Sequence, residues 1–139
     1  MASSHQNLVL RMYAAISAGA TGDELATYFH PGAQQIEYPS VMRPYGHRRG
    51  LAEMRQGAEI GTKIIADQHY EVHTMVEDGD RLAVQFTWTA TVTADLGAIP
   101  AGARLVSHVA AFYIIRDGLV LEQSSYDCYE PIASSVVNL

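Results

Sequence analysis

The sequence predicts an α+β fold, with helices first and a long antiparallel meander after them. Two changes along the chain carry that expectation. Apolar residues recur with a 3.6-residue period as far as about residue 64, and from His69 onward they alternate with a period of two. The segment Leu105 to Arg116 adds a third observation, since it is apolar on both faces and asks for cover on both sides of a sheet.

Each element has its own signal. Leu8, Val9, Met12, Tyr13 and Ile16 form one apolar stripe, with Asn7 placed as N-cap and Gly19 as the left-handed stop of a first helix. A second, short helix follows Gly22-Asp23 and carries Leu25, Tyr28 and Phe29 as far as His30-Pro31-Gly32, where proline ends it. Gln34 to Tyr38 reads as a brief strand stopped by Pro39. Residues 39 to 49, with two prolines, Gly46 and three arginines, read as a loop. A third helix runs from Leu51 to about Ile64 with Leu51, Met54 and Ala58 on one face. Gly57 and Gly61 each cost it about 1 kcal/mol relative to alanine.

In the second half, Glu77-Asp78-Gly79-Asp80 is a hairpin signal. Leu82, Val84, Phe86, Trp88, Ala90 and Val92 share one face of the strand that follows. Gly97, Pro100 and Gly102 mark a longer loop. Arg116-Asp117-Gly118 then turns the chain into a last strand from Leu119 to about Tyr129, which Pro131 closes. In the strand before that turn, Leu105, Val109, Ala111, Tyr113 and Ile115 lie on one side, and Val106, Ala110, Phe112 and Ile114 on the other. Three helices cover only one face, so the second set predicts a homodimer packed through the outer face of the sheet.

Composition narrows the class. The chain has 139 residues, 48% hydrophobic and 17% charged. That is one domain spanning residues 1–139, with a core over about 8–132 and a frayed tail at 133–139. The apolar fraction excludes a disordered chain, and no apolar run approaches the roughly 20 residues of a membrane-spanning helix. A formal charge of −6 without a basic stripe makes a poor nucleic-acid binder. Cys128 is the only cysteine, and the opening Met1-Ala2-Ser3-Ser4-His5-Gln6 lacks the basic-then-apolar order of a secretory signal. Together these predict a cytoplasmic protein.

Few groups present themselves for chemistry. His69 and His73 have metal-like spacing on a helix, but on a strand four residues span roughly 13 Å, too far for one tetrahedral zinc, so no metal is expected. Gly46-His47-Arg48-Arg49-Gly50 is either a small anion site at a helix start or a solvated loop. Cys128 has no activating neighbour and reads as buried or half-buried. The last strand holds Leu121, Gln123, Ser125 and Asp127 in one set and Val120, Glu122, Ser124, Tyr126 and Cys128 in the other. Either choice of inward face brings polar groups inside. Asp127 among Phe86, Trp88 and Tyr113 would be poorly solvated and suited to proton transfer near neutrality; otherwise it caps the strand or pairs with an arginine.

Several stretches carry a family resemblance: Met12-Tyr13-Ala14-Ala15-Ile16, Tyr28-Phe29-His30-Pro31, Arg49-Gly50, Gly79-Asp80-Arg81-Leu82-Ala83-Val84, Leu96-Gly97-Ala98-Ile99-Pro100, and Arg116-Asp117-Gly118-Leu119-Val120 through Tyr126-Asp127. From about Leu8 to Ile132 the chain resembles the SnoaL-like polyketide cyclases, within the NTF2-like superfamily that includes ketosteroid isomerase and limonene epoxide hydrolase. The resemblance implies a cone of three N-terminal helices packed on a strongly bent antiparallel sheet, with a deep apolar pocket and a dimer through the outer sheet face. Tyr13 matches the oxyanion-hole tyrosine of ketosteroid isomerase, and Asp127 the acid/base aspartate of the cyclases. Tyr38 stands where the isomerase has its general-base aspartate. Ala111 replaces a histidine of the cyclases, and Val109-Ala110-Ala111 replaces the Arg-x-Asp of the epoxide hydrolases.

The function expected on these grounds is a cofactor-independent cyclase acting on a polyketide-like or other apolar metabolite. Its catalytic residues would be Asp127, Tyr13 and Tyr38. Val84, Phe86, Trp88, Tyr113, Gln123 and Ser125 would line the substrate pocket. An isomerase or dehydratase of the same fold, and a non-catalytic ligand-binding module, are the alternatives.

Overall fold

The computed structural model describes residues 1–132; the expected fraying of residues 133–139 lies outside the described residues. The chain forms α1 (Ser4–Ser17), α2 (Gly22–Ala26), β1 (Phe29–Glu37), β2 (His47–Gly50), α3 (Leu51–Ile64), β3 (Ile65–Asp78), β4 (Arg81–Val92), β5 (Arg104–Arg116) and β6 (Leu119–Tyr129). The strands join in one sheet in the order β2-β1-β6-β5-β4-β3. The class is α+β, as the periodicities predict, but the sheet is mixed rather than antiparallel throughout. β1 runs parallel to β6, because the chain leaves β1, passes through β2, α3 and the β3–β5 meander, and returns alongside it.

The other differences from the sequence reading are local, and each has a physical reason. The first helix is capped by Ser3, not Asn7: the Ser3 hydroxyl accepts from the Gln6 amide (3.1 Å) and the Gln6 side chain accepts from the Ser3 amide (3.3 Å), a reciprocal capping box. Tyr28 and Phe29 lie beyond α2, which stops at Ala26. Phe29 opens β1, and Pro31 is tolerated because pairing with β6 skips from Phe29 to Gln34. Within the segment read as a loop, His47–Gly50 pairs with Gln34–Glu37, a non-local contact that no local pattern announces. β3 begins at Ile65 rather than His69.

Slipped pairs bend the sheet. β3 and β4 lose register between Ala66 and His69 and again between Val72 and Thr74. Each slip bends the strand and increases its twist. The helices lie over the concave side, α1 against β3 and α3 between β1 and β3, which makes the cone. Val9 and Met12 of α1 meet Leu82, Val84, Tyr113, Ile115 and Val120 of the sheet in the core they share.

A third slip, in β6, positions the polar residues. Ile115 pairs with Val120 but Ile114 pairs with Glu122, so Leu121 is an extra residue. Beyond it the alternation reverses: Gln123 sits beside Tyr113, Ser125 beside Ala111, and Asp127 beside Val109, all on the concave face. Both turn residues of the β5–β6 hairpin are left-handed, Asp117 at φ 55° and Gly118 at φ 72°. Gly118→Val is expected to lower unfolding free energy by about 1–3 kcal/mol in urea titrations. Unchanged stability would mean that the hairpin closes through another turn.

Candidate active site

The helical stripe of α1 drives Tyr13 into the concave face. Its ring stacks on Tyr70 (centroids 4.4 Å apart, 7° between planes) and tilts against Phe86 at 5.1 Å. Its hydroxyl shares a hydrogen bond of 2.5 Å with that of Tyr113. Burial pushes the Tyr13 hydroxyl far above the ordinary tyrosine value, and Tyr113 upward for the same reason. Both phenols therefore stay neutral, and two hydroxyls sharing one hydrogen bond leave one O–H that this bond does not use.

Beside this aromatic group stands a polar wall built by β1 and β6. Burial raises the Asp127 carboxyl to about 6, with the charge of Glu37 adding to the rise and a hydrogen bond from Ser125 opposing it. Glu37 pairs with Arg43 at 3.2 Å and Arg49 at 3.7 Å. Arg49 Nε donates to Gln35 Oε1 (2.5 Å), and Gln35 Nε2 donates to Gln123 Oε1 (3.4 Å). A Cβ at position 57 would collide with the Arg49 guanidinium, which explains a glycine inside α3 despite its helix cost. Tyr129 is pushed up to about 12, first by burial and then by Asp127.

The structure brings most of the candidate residues onto one concave surface. Tyr13, Val84, Phe86 and Tyr113 are almost wholly buried there, while Trp88, Gln123 and Asp127 remain partly accessible. Ser125 is buried between them. Tyr38 is not brought in. Alternation at the end of β1 turns Glu37 inward and Tyr38 outward, where its ring stacks on Tyr126 at 4.5 Å. Cys128 is exposed rather than buried, because the β6 slip turns even-numbered positions outward beyond Leu121.

Sequence reasoning missed Glu37 and Gln35, which sit in a short strand pair, and Tyr70 and Tyr129. The alternation Gln35–Glu37 was the one available signal. Arg49 belongs to neither a solvated loop nor an anion site, since Glu37 and Gln35 occupy it.

A cleft of about 220 Å³ opens between the C-terminal ends of α1 and α3 and the start of β3. Its wall residue Gln68 accepts a hydrogen bond from Trp88 Nε1 (3.1 Å). Among the described residues no group of three His, Cys, Asp or Glu side chains is placed to hold a metal ion. No helix among them is long and apolar enough to cross a membrane.

The sequence profile of the SnoaL-like domain matches residues 9–123. The chain belongs to the SnoaL-like domain family. The match ends four residues before Asp127, so the place of that carboxylate rests on the geometry above. Solved structures share the NTF2-like fold. IdmH from Streptomyces antibioticus, named as a candidate polyketide cyclase, is 18% identical with a TM-score of 0.72, over 90% of this chain and 92% of that one. A SnoaL-like polyketide cyclase from Agrobacterium tumefaciens is 21% identical with a TM-score of 0.67, over 91% and 92%. AclR from Streptomyces galilaeus, named as a candidate hydroxylase, is 24% identical with a TM-score of 0.73, over 89% and 78%. No curated protein matches the SnoaL-like chain by sequence.

Because burial raises Asp127 above its ordinary 3.8, the folded chain holds that proton more tightly than the unfolded one. The stability this contributes is complete below about pH 4 and is lost as pH rises through about 6. Asp127→Asn is therefore expected to raise Tm at pH 7.5 and to lose that advantage at pH 4. A Tm difference independent of pH would show that the buried charge is not its cause.

Proposed function

We propose that this SnoaL-like protein is a cyclase that works without a cofactor on a polyketide-like or other apolar metabolite, with Asp127 as its acid/base group. The observation that carries this reading is a half-buried carboxylate with a pKa of about 6, on the same concave face as a pair of neutral tyrosine hydroxyls. A base with that pKa is ionised at neutral pH yet holds a proton well enough to return it. The Asp127 carboxylate takes a proton from a carbon between two carbonyls. The enolate oxygen that forms accepts a hydrogen bond from the Tyr13–Tyr113 pair. The carbon then adds to a carbonyl further along the same molecule, and Asp127 gives its proton to the new alkoxide. One C–H bond breaks, one C–C bond forms, and the proton is returned. The aromatic walls contribute by holding a flexible chain in the folded shape that ring closure needs.

A 1,3-diketone isolates the first step. With benzoylacetone in D2O, exchange of the protons between its carbonyls, followed by NMR, is expected to slow by about 10²–10⁴ in Asp127→Asn relative to the wild type. An undiminished rate in that variant would overturn the acid/base role.

We infer a homodimer through the outer face of the sheet. Val76, Phe112 and Tyr126 are 61%, 48% and 47% exposed there, apolar side chains gathered on one sheet face that a second copy would cover. The expected mass by sedimentation at micromolar concentration is that of two chains, falling to one in Phe112→Asp. A wild-type mass of one chain would sink the inference. Cys128, exposed and free, supports a reducing, cytoplasmic setting.

A further inference from the structure

Among the described residues, three side-chain polar atoms are buried without a hydrogen-bond partner: His5 Nδ1, His47 Nε2 and Ser107 Oγ. The first has Glu77 at 3.6 Å as an ion-pair partner. The second sits in a half-buried edge strand beside Arg43, Arg49 and Glu37. Ser107 differs from both. It is 1% exposed, in the middle of the sheet. A buried hydroxyl without a partner lowers the stability of the folded chain and calls for another explanation.

Its surroundings supply one. On β5, Ser107 lies directly opposite Trp88 of β4 and Tyr129 of β6. The next concave pair along the same strands is Val109 with Asp127. Trp88, Tyr129 and Asp127 are each partly accessible, whereas Ser107 between them is not. By register the four are neighbours on the concave face, two aromatic side chains and a carboxyl group around a buried hydroxyl that has no partner. The Trp88 N–H is already given to Gln68 and cannot satisfy Ser107.

We propose that Ser107 anchors the ligand by hydrogen-bonding a hydroxyl or carbonyl oxygen that reaches it between Trp88, Tyr129 and Asp127. Two residues along a strand span about 7 Å. The anchored oxygen and the atom facing Asp127 are then separated by about the width of one or two fused six-membered rings. The ligand class is a flat, largely apolar molecule bearing an oxygen at that remove from its reacting carbon. An unmet hydroxyl also discriminates, because a ligand lacking the oxygen leaves Ser107 buried and unpaired. This inference rests on the concave face being the ligand site, as in the proposed function, but not on Asp127 performing chemistry.

The test uses a matched pair of probes, 2-naphthol and naphthalene, titrated calorimetrically into the wild type, Ser107→Ala and Asp127→Asn. The wild type is expected to prefer 2-naphthol by about tenfold, equivalent to about 1.4 kcal/mol. Ser107→Ala is expected to lose the preference while its unliganded Tm stays level or rises. Asp127→Asn is expected to keep it, so failure of the acid/base mechanism does not affect this readout. The inference is overturned if Ser107→Ala keeps the preference, if Asp127→Asn alone loses it, or if the wild type binds neither probe saturably. A large fall in Tm in Ser107→Ala would equally overturn it, since the serine would then be a structural residue.

Discussion

One slipped pair between β5 and β6 governs what the concave face can do. At the hairpin end, Ile115 and Val120 must both be buried; they are 3% and 0% exposed. Unbroken alternation from Val120 would carry Glu122, Ser124, Tyr126 and Cys128 inward and leave Asp127 in solvent. The extra residue, Leu121, lets the strand bury Val120 at one end and present Gln123, Ser125 and Asp127 to the cone at the other. Placing Glu122 beside Tyr113 instead would bury a carboxylate against an aromatic core without a cation to receive it. Core packing and site chemistry thus depend on the same insertion.

The two inward carboxylates of the polar wall are held in different ways. Arg43 and Arg49 take up the charge of Glu37, and Arg49 is itself fixed by Gln35 and given room by Gly57. Among the described residues Asp127 has no such cation, so burial and the nearby negative charge of Glu37 act on it together. A glycine in a helix, a cost in local propensity, thus leaves room for the arginine that pairs with Glu37.

What the sequence revealed follows from the range of the forces involved. Local patterns located α3 over Leu51–Ile64, the inward face of β4 from Leu82 to Val92, and the Asp117-Gly118 turn, because apolar periodicity and left-handed backbone act over a few residues. The cap at Ser3 was also local, but it lies upstream of the apolar stripe that drew the start to Asn7. β2 depends on pairing with β1 across a loop, and its basic composition concealed it. The inward face of β6 could not be read because a single inserted residue inverts a period of two. Tyr38 was named from the resemblance, which carries position along the chain but not the alternation that turns it outward onto Tyr126. Asp127 was legible both in the alternation of the last strand and in the family resemblance, but which way it faced was settled only by the slip at Leu121.

The concave face divides into a dry part and a wetter part, and Asp127 lies at the boundary. Tyr13, Tyr70, Phe86 and Tyr113 pack ring to ring, so that part of the cone is filled by the protein's own aromatics. Toward Ser107, the side chains of Trp88, Tyr129 and Asp127 keep some access to solvent. Asp127 also raises the Tyr70, Tyr113 and Tyr129 hydroxyls, which places its charge within electrostatic reach of both parts. A ligand entering the wetter part would displace solvent from Asp127 and strengthen its interaction with the tyrosine hydroxyls, since charges act further where water is excluded. On this argument the packed tyrosines do not obstruct the site. They form a low-dielectric wall beside the Asp127 carboxyl, which burial raises to about 6.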